Sequence, residues 1–409
     1  MKYSNENSIH SSTAREALRR AFRFIGGIRW VLVIGSGLIL SAAGAQTRRN
    51  FRIPDIPGYL TLKGDFHMHT PFSDGTVWPT DRVLEAWRDG LDIIAITDHV
   101  EYRPNQADVS TDLNRPWQMA LPEAEKYGIL LIHAAEITRS MPPGHFNAYF
   151  LQDANLLQQK EIDAAFEAAA AQGAFFIWNH PGWKAQQPDT TRWFPVHTEY
   201  LEKGWLHGIE IFNEKEYYPV VQAWADEKNL TVFANSDVHG PIDFLYDPAQ
   251  NERRPMTLVF AEDRSLSSVR EAFEYRRTAA FFNDTLAGPE EWIKPLVEQC
   301  LSVQRHTVQI DERRRVHLIL TNHSDMAFNL QGISTDEFKL PGTVFLRPNS
   351  SERVVMNVIG RVESGENTLR AGFRVLNALT GPGIPLIVEF TVHAFLWPEP
   401  AIASAGRDQ

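Results

Sequence analysis

Nine side chains able to hold a metal ion follow one another along this 409-residue chain. They are His67, His69, Asp74, His99, Glu136, His145, His180, Asp237 and His239. His67-Met68-His69 and Asp237-Val238-His239 are i, i+2 pairs, and in an extended strand such side chains point the same way. Each pair therefore aims two ligands at one point. Imidazoles mixed with carboxylates, with no thiolate among them, suit Zn, Mn or Fe. Nine ligands exceed the needs of one ion, so two or three divalent metal ions are expected. Two ions roughly 3.5–4 Å apart are common equipment for hydrolysing phosphoryl esters. Taken singly, any of these histidines reads as a satisfied polar residue; their order and paired spacing make the joint reading.

The elements that must position them are legible as apolar runs. Residues 65–70 read as a strand entering a loop. The runs 91–99, 129–136, 174–180 and 230–237 are apolar, with polar residues at their C-terminal ends. Buried parallel strands look like this, and reactive groups just past their ends are the arrangement of a β/α barrel. Helical stretches over 80–89, 160–172, 218–229 and 267–276 alternate with them. The alternation predicts an α/β barrel over 60–295 with a parallel sheet and crossover helices. His133 falls on the opposite strand face from Glu136 and reads as structural, while His197 and His207 lie outside the series. Asp98 precedes His99 and reads equally as an orienting carboxylate or as a helix cap.

From about residue 304 the pattern changes to short alternating strands, at 308–310, 316–322, 342–346, 354–358 and 386–392. With turns of Asn, Gly, Pro and Ser between them, they predict a small C-terminal all-β, sandwich-like domain over 303–397. The stretch around Lys294-Pro295 is the expected connection. His317, His323 and His393 are scattered through this region and carry no catalytic pattern.

Residues 1–45 read as a signal peptide and 46–59 as a linker. Arg15, Arg19, Arg20, Arg23 and Arg29 precede an apolar core at 30–40, then Ser41-Ala42-Ala43-Gly44-Ala45, with cleavage expected after Ala45. The apolar core is short of the about 20 residues that a membrane span needs. The expected location is periplasmic or secreted, with no membrane association beyond that segment. The segment carries six basic and two acidic residues, so its removal takes the formal charge from −11 to −15. Such an acidic protein is poorly suited to grip a nucleic acid polymer, which demands a basic track. A small-molecule substrate is expected instead. The lone cysteine, Cys300, permits no internal disulfide and reads as a buried small hydrophobe.

The phrase His67-Met68-His69-Thr70-Pro71-Phe72-Ser73-Asp74-Gly75, with Thr97-Asp98-His99 after it, resembles the opening of a PHP (polymerase and histidinol phosphatase) domain. Glu136, His145, His180 and Asp237-Val238-His239 match the family's remaining motifs in order, over roughly residues 58–285. The resemblance implies a distorted (β/α)7 barrel with a two- or three-metal centre. It implies that His67, His69, Glu136 and Asp237 hold one ion, that Glu136 bridges to a second held by His145 and His180, and that Asp74, His99 and His239 hold a third. Gly144-His145-Phe146-Asn147-Ala148-Tyr149 resembles exported PHP metallohydrolases that cleave carbamates and esters. The stretches 73–80 and 97–104 look closer to PHP-type phosphodiesterases of organophosphate-degrading bacteria.

These residues suggest a chemistry. Cations bridged by Glu136 would lower the pKa of a shared water, giving hydroxide to attack phosphorus, and Asp237 and His239 could shuttle the proton. Arg139, Trp183, Lys184 and Asn213 stand where barrel loops meet the pocket and are candidate substrate-binding residues. The expectation is a metal-dependent phosphodiesterase acting on small organic phosphate diesters. The alternatives are a phosphomonoesterase, a carbamate or carboxylester metallohydrolase, and a non-catalytic metal-binding module.

Overall fold

The computed structural model describes residues 47–250, 252–304 and 307–397. The signal segment expected over 1–45 lies outside the described residues. In chain order come β1 (Leu60–Asp65), α1 (Pro79–Arg88), β2 (Ile93–Ile96), α2 (Arg115–Tyr127), β3 (Leu130–Thr138) and β4 (His145–Tyr149). Then follow α3 (Ile162–Ala170), β5 (Phe175–Trp178), α4 (Pro195–Glu202), β6 (Gly208–Asn213), β7 (Glu216–Tyr217), α5 (Pro219–Lys228) and β8 (Thr231–Asn235). A short α6 (Ile242–Leu245) leads to β9 (Met256–Ala261), α7 (Leu266–Glu274), β10 (Thr278–Phe282), β11 (Thr285–Ala287) and α8 (Glu290–Cys300).

Seven strands form a ring in the order β1-β2-β3-β4-β5-β6-β8. Every residue of β2, β5, β6 and β8 is buried, as the continuous apolar runs predicted. The ring closes just past the strand ends. Asp237 N donates to His67 O at 2.9 Å and His69 N donates to Val238 O at 3.0 Å. Elsewhere the seam beside β8 is filled by hydroxyls. Thr257 Oγ1 accepts from Ala234 N and donates to Ala234 O, and Thr278 Oγ1 donates to Val232 O.

The expected parallel sheet holds for β1-β2-β3 and β5-β6-β8 but not throughout. β4 runs antiparallel to both β3 and β5, and β9 runs antiparallel to β1 and β10. Only residues 139–144 join β3 to β4. That is too short for the crossover a parallel neighbour requires, so the chain must return antiparallel. The fold is therefore α/β with a mixed sheet.

The C-terminal region is β-rich, with β12 (Leu301–Val303), β13 (Val308–Gln309), β14 (Arg315–Asn322), β15 (Phe328–Gly332) and β16 (Phe338–Lys339). It continues with β17 (Val344–Leu346), β18 (Ser351–Val358), β19 (Gly365–Gly381) and β20 (Ile384–Leu396). One sheet runs β12-β14-β18-β16; the long β19–β20 hairpin anchors the other strands. The second set is stitched to the first part of the chain. β11 pairs in parallel with β19 through Leu286↔Ala378 and Ala287↔Leu379, and Gln222 Nε2 donates to Leu379 O at 3.2 Å. The stretch around Lys294-Pro295, expected as a connection, is helix α8, whose Ile293, Leu296 and Val297 are buried. Among the described residues no helix is long and apolar enough to cross a membrane.

Candidate metal centre

All nine candidate ligands converge at the closed end of the ring. His67 and His69 follow β1, His99 follows β2, Glu136 lies near the end of β3, His180 follows β5, and Asp237 and His239 follow β8. His145 opens β4. An antiparallel strand must offer a ligand at its start to reach the same end as its parallel neighbours. Asp74 is carried by the loop after His69, where Gly75 lies against that loop's backbone: a Cβ there would stand 2.5 Å from the His69 carbonyl carbon.

Glu136 is the centre of the arrangement and is fully buried. Its Oε2 faces His67 Nε2 and His69 Nε2, each at 3.4 Å, and His99 Nδ1 at 2.9 Å. Its Oε1 faces His145 Nδ1 at 2.9 Å and His180 Nε2 at 3.9 Å. Asp237 Oδ1 lies 3.1 Å from His67 Nε2 and 3.0 Å from His69 Nε2. Asp74 Oδ1 lies 3.5 Å from His99 Nε2 and 3.3 Å from His239 Nε2.

Four overlapping sets of potential ligand atoms result: His67/His69/Asp237, His67/Glu136/His180, His99/Glu136/His145 and His69/Asp74/His99/His239. Together they suggest a centre for two or three divalent ions. His99 belongs both to the Glu136–His145 set and to the Asp74–His239 set.

Unpartnered atoms test whether cations fit. His67 Nε2, Glu136 Oε2 and Asp74 Oδ1 are buried without a hydrogen-bond partner. Leaving such atoms unpaired costs about 1–3 kcal/mol each, more for charged groups, and cations at their meeting points would satisfy all three. Electrostatics agrees. Burial pushes the Glu136 carboxyl up, but His99, His67 and His145 hold it well below the usual carboxylate range. Burial raises Asp237 to about 6 against the pull of His67 and His239. Burial lowers His239, yet the Asp74 carboxylate facing its Nε2 and the charge of Asp237 lift it to about 9. His180 and Asp237 also hold left-handed backbone, with φ of 31° and 50°, a conformation costing about 1–3 kcal/mol that characteristically persists at functional sites.

Two supporting residues were missing from the sequence reading. Glu210, buried in β6, accepts from His67 Nδ1 at 2.8 Å and from His180 N at 2.7 Å. Its signal was a carboxylate inside the apolar run 208–212. Arg82, buried on α1, donates from Nε to His69 O and from Nη2 to Val238 O and His239 O. One guanidinium thereby holds both ligand-bearing loops, as hinted by an arginine beside Val83 on the helix's apolar face. Asp98 caps no helix. It accepts from Thr70 N, Thr70 Oγ1 and Ser73 Oγ, fixing the turn that follows His69. His133 stacks on Trp117 at 4.6 Å, away from the cluster.

A cavity of about 840 Å³ opens over the ligands, and all four candidate substrate-binding residues line it. Trp183 and Lys184 are exposed there. Arg139 is ion-paired with Glu101, and Asn213 is buried with its Nδ2 donating to Glu210 at 2.9 Å. The lining residues run from Asp74 to Tyr246, so the β-rich region contributes none of them. Cys300 is buried outside the site, its thiol pushed up by burial to about 12.

Comparison with known proteins agrees with this geometry. Residues 301–391 match DUF5001, an Ig-like domain family. No curated protein matches the chain. A crystal structure from Bacteroides vulgatus ATCC 8482, a two-domain protein containing a predicted PHP-like metal-dependent phosphoesterase, is 44% identical. The match covers 85% of this chain and 100% of that one, with a TM-score of 0.81. A candidate metal-dependent phosphoesterase from Bifidobacterium adolescentis ATCC 15703 is 19% identical over 43% of this chain and 87% of its own, and its TM-score of 0.34 carries no argument. The same holds for an amidohydrolase from Chromobacterium violaceum, 14% identical over 44% of this chain and 88% of its own, at TM-score 0.34. With 44% identity over the whole of the Bacteroides protein, and a buried histidine–carboxylate cluster at the end of an α/β ring, the chain belongs to the PHP-like metal-dependent phosphoesterases.

Proposed function

We propose that this hydrolase cleaves small organic phosphate diesters. The observation that carries the reading is the charge of the cavity wall. Of the cations lining it, Arg139 is paired with Glu101 and Lys215 lies 3.8 Å from Glu252. Lys184 is exposed and outside any ion pair among the described residues, while Glu214 and Glu216 add negative charge. A monoanionic diester suits such a wall. Bound ions would attract either anion, but beyond them the side chains of this wall offer a dianionic monoester few cationic partners.

The nine side chains would hold the ions, in the Glu136-centred sets already described. When bound, those ions supply Lewis acidity and bring a shared water towards neutral pKa. The chain's own residues supply position and proton transfer. Glu136 ties the two halves of the ligand set to one carboxylate. Asp237 and His239, at the cavity wall, would carry the proton from the attacking water to the leaving oxygen where one of them is not fully committed to an ion. Lys184 presents its ammonium to phosphoryl oxygens, and Asn213 and Arg139, held by Glu210 and Glu101, border the same space. Manganese, zinc and iron all suit this nitrogen–oxygen donor set. The basic, apolar and small-residue order of segment 1–45 supports action in the periplasm or outside the cell, and the wording of 73–80 and 97–104 supports a place beside organophosphate-degrading enzymes.

The test is turnover by protein reconstituted with Mn(II) or Zn(II) on bis(p-nitrophenyl) phosphate, p-nitrophenyl phosphate and p-nitrophenyl acetate, with metal content measured on the same sample. Diester cleavage well above the other two is expected. Preference for the monoester or the acetate would replace the reading with phosphomonoesterase or carboxylester hydrolase.

A further inference from the structure

Two large aromatic side chains stand exposed in the cavity, one on each side of Glu136. Tyr102 is 55% exposed and Trp183 is 43% exposed. The rings form a continuous series across the centre. Tyr102 lies 5.9 Å from His99, His99 lies 5.8 Å from His145, and His145 lies 5.8 Å from Trp183, centroid to centroid. The two middle rings sit on opposite oxygens of Glu136, each with Nδ1 at 2.9 Å. Each outer ring is three residues beyond a candidate ligand, Tyr102 after His99 and Trp183 after His180.

Both aromatics are carried on well-held turns. Trp183 N donates to His180 O at 2.9 Å, and Gln187 Nε2 donates to Pro181 O at 2.7 Å. Gly182 is packed so closely on Tyr218 that a Cβ would stand 2.4 Å from its ring. On the other side, Val100 N donates to Glu136 O at 2.8 Å, and the neighbouring Glu101 accepts from Thr138 N at 2.7 Å. Isolated exposed aromatics are ordinary on a protein surface. Two of them, beside segments tied down by hydrogen bonds at opposite ends of one ligand cluster, form a pair of apolar platforms next to a charged centre.

A diester carries two organic arms where a monoester carries one. Resting on the phosphodiesterase reading, we propose that the substrate is a phosphodiester with two planar aromatic substituents, one stacked on Trp183 and the other on Tyr102. Aromatic pairs gain about 0.5–1.5 kcal/mol beyond area burial, so a planar ring is preferred to a saturated ring of the same size.

Three diesters sharing one leaving group test this: p-nitrophenyl phenyl, p-nitrophenyl cyclohexyl and p-nitrophenyl methyl phosphate, each rate normalised to its hydroxide-catalysed background. The phenyl diester should exceed the cyclohexyl diester about tenfold in kcat/KM, mainly through KM. Trp183→Ala should collapse that ratio and Trp183→Phe should retain most of it. Calorimetry should show diphenyl phosphate binding more tightly than dicyclohexyl phosphate, a readout independent of turnover. Equal kcat/KM for the phenyl and cyclohexyl diesters would overturn the proposal while leaving diester hydrolysis intact. So would a ratio unaffected by Trp183→Ala and Tyr102→Ala alike. Silence on all three diesters with metal bound would remove the phosphodiesterase reading and this proposal with it.

Discussion

The carboxylate of Glu210 accepts a hydrogen bond from Nδ1 of His67 at 2.8 Å, with both side chains sealed from solvent. This bond fixes the imidazole's tautomer and turns Nε2, which has no hydrogen-bond partner, towards Glu136 and Asp237. Glu210 also accepts from His180 N, Asn213 Nδ2 and Asn235 Nδ2, so one carboxylate orients ligands that follow two different strands. Loss of such a partner typically lowers metal affinity or activity about 10–100-fold. Glu210→Gln should do the same while leaving the circular dichroism spectrum unchanged. Metal content after dialysis and kcat on a diester, both equal to wild type, would show that Glu210 orients nothing.

Arg82 makes a second prediction, about stability. Its buried guanidinium pairs with Glu85 at 2.7 Å and donates to carbonyls of His69, Val238, His239 and Gly240. Breaking a buried charge pair from one side costs about 3–5 kcal/mol. Arg82→Met should therefore lower the urea midpoint substantially, and Arg82→Lys, which keeps the charge but not the fork of donors, should fall between. A Met variant with wild-type stability would show that the loops are held by backbone contacts alone.

Residues of the fold and of the site were unequally legible. The ligand series could be read because each member is a polar residue ending an apolar run, as at His99 and His180. β4 was obscured because His145-Phe146-Asn147-Ala148-Tyr149 is short and its direction depends on the length of the loop before it. β19 was missed because its sequence, from Gly365 to Gly381, mixes charged, small and apolar residues and relies on β20 for its register. Glu210 and Arg82 were overlooked for a common reason. Their importance lies in partners distant in sequence, 143 residues for Glu210–His67 and 156 for Arg82–Val238.

His197 sets a pH dependence. Its ring stacks on Trp178 at 3.7 Å, its Nδ1 accepts from Phe194 N, and its Nε2–H donates to Pro143 O at 2.8 Å. Burial drives its pKa down to about 4 despite the Pro143 hydrogen bond. The unfolded chain, with His near 6.5, takes up the proton first as the pH falls, so the native state loses ground. Its contribution is present above pH 6.5 and is lost progressively between about 6.5 and 4, amounting to about 3 kcal/mol. Carboxylates also titrate there, so the measurement is a difference. Unfolding free energy against pH should be flatter by about that amount in His197→Gln than in wild type. Parallel curves would place the acid sensitivity elsewhere.

Metal stoichiometry should separate the carboxylates by how many sets each one serves. Glu136 offers Oε2 to His67, His69 and His99 and Oε1 to His145 and His180, whereas Asp74 faces only the His69–His99–His239 side. Asp74→Asn should therefore lose at most one ion per chain, and Glu136→Gln should lose more than one, as read by elemental analysis after dialysis. Stability should follow the same order. A ligand at a thousand times its Kd stabilises the native state by about 4 kcal/mol, so a chelator should lower the wild-type melting temperature and Mn(II) should restore it. The restoration should be smaller in Asp74→Asn and smallest in Glu136→Gln. Should Glu136→Gln retain the full complement of metal, the carboxylate would not join the two halves of the site, and the ions would be held independently on either side of it.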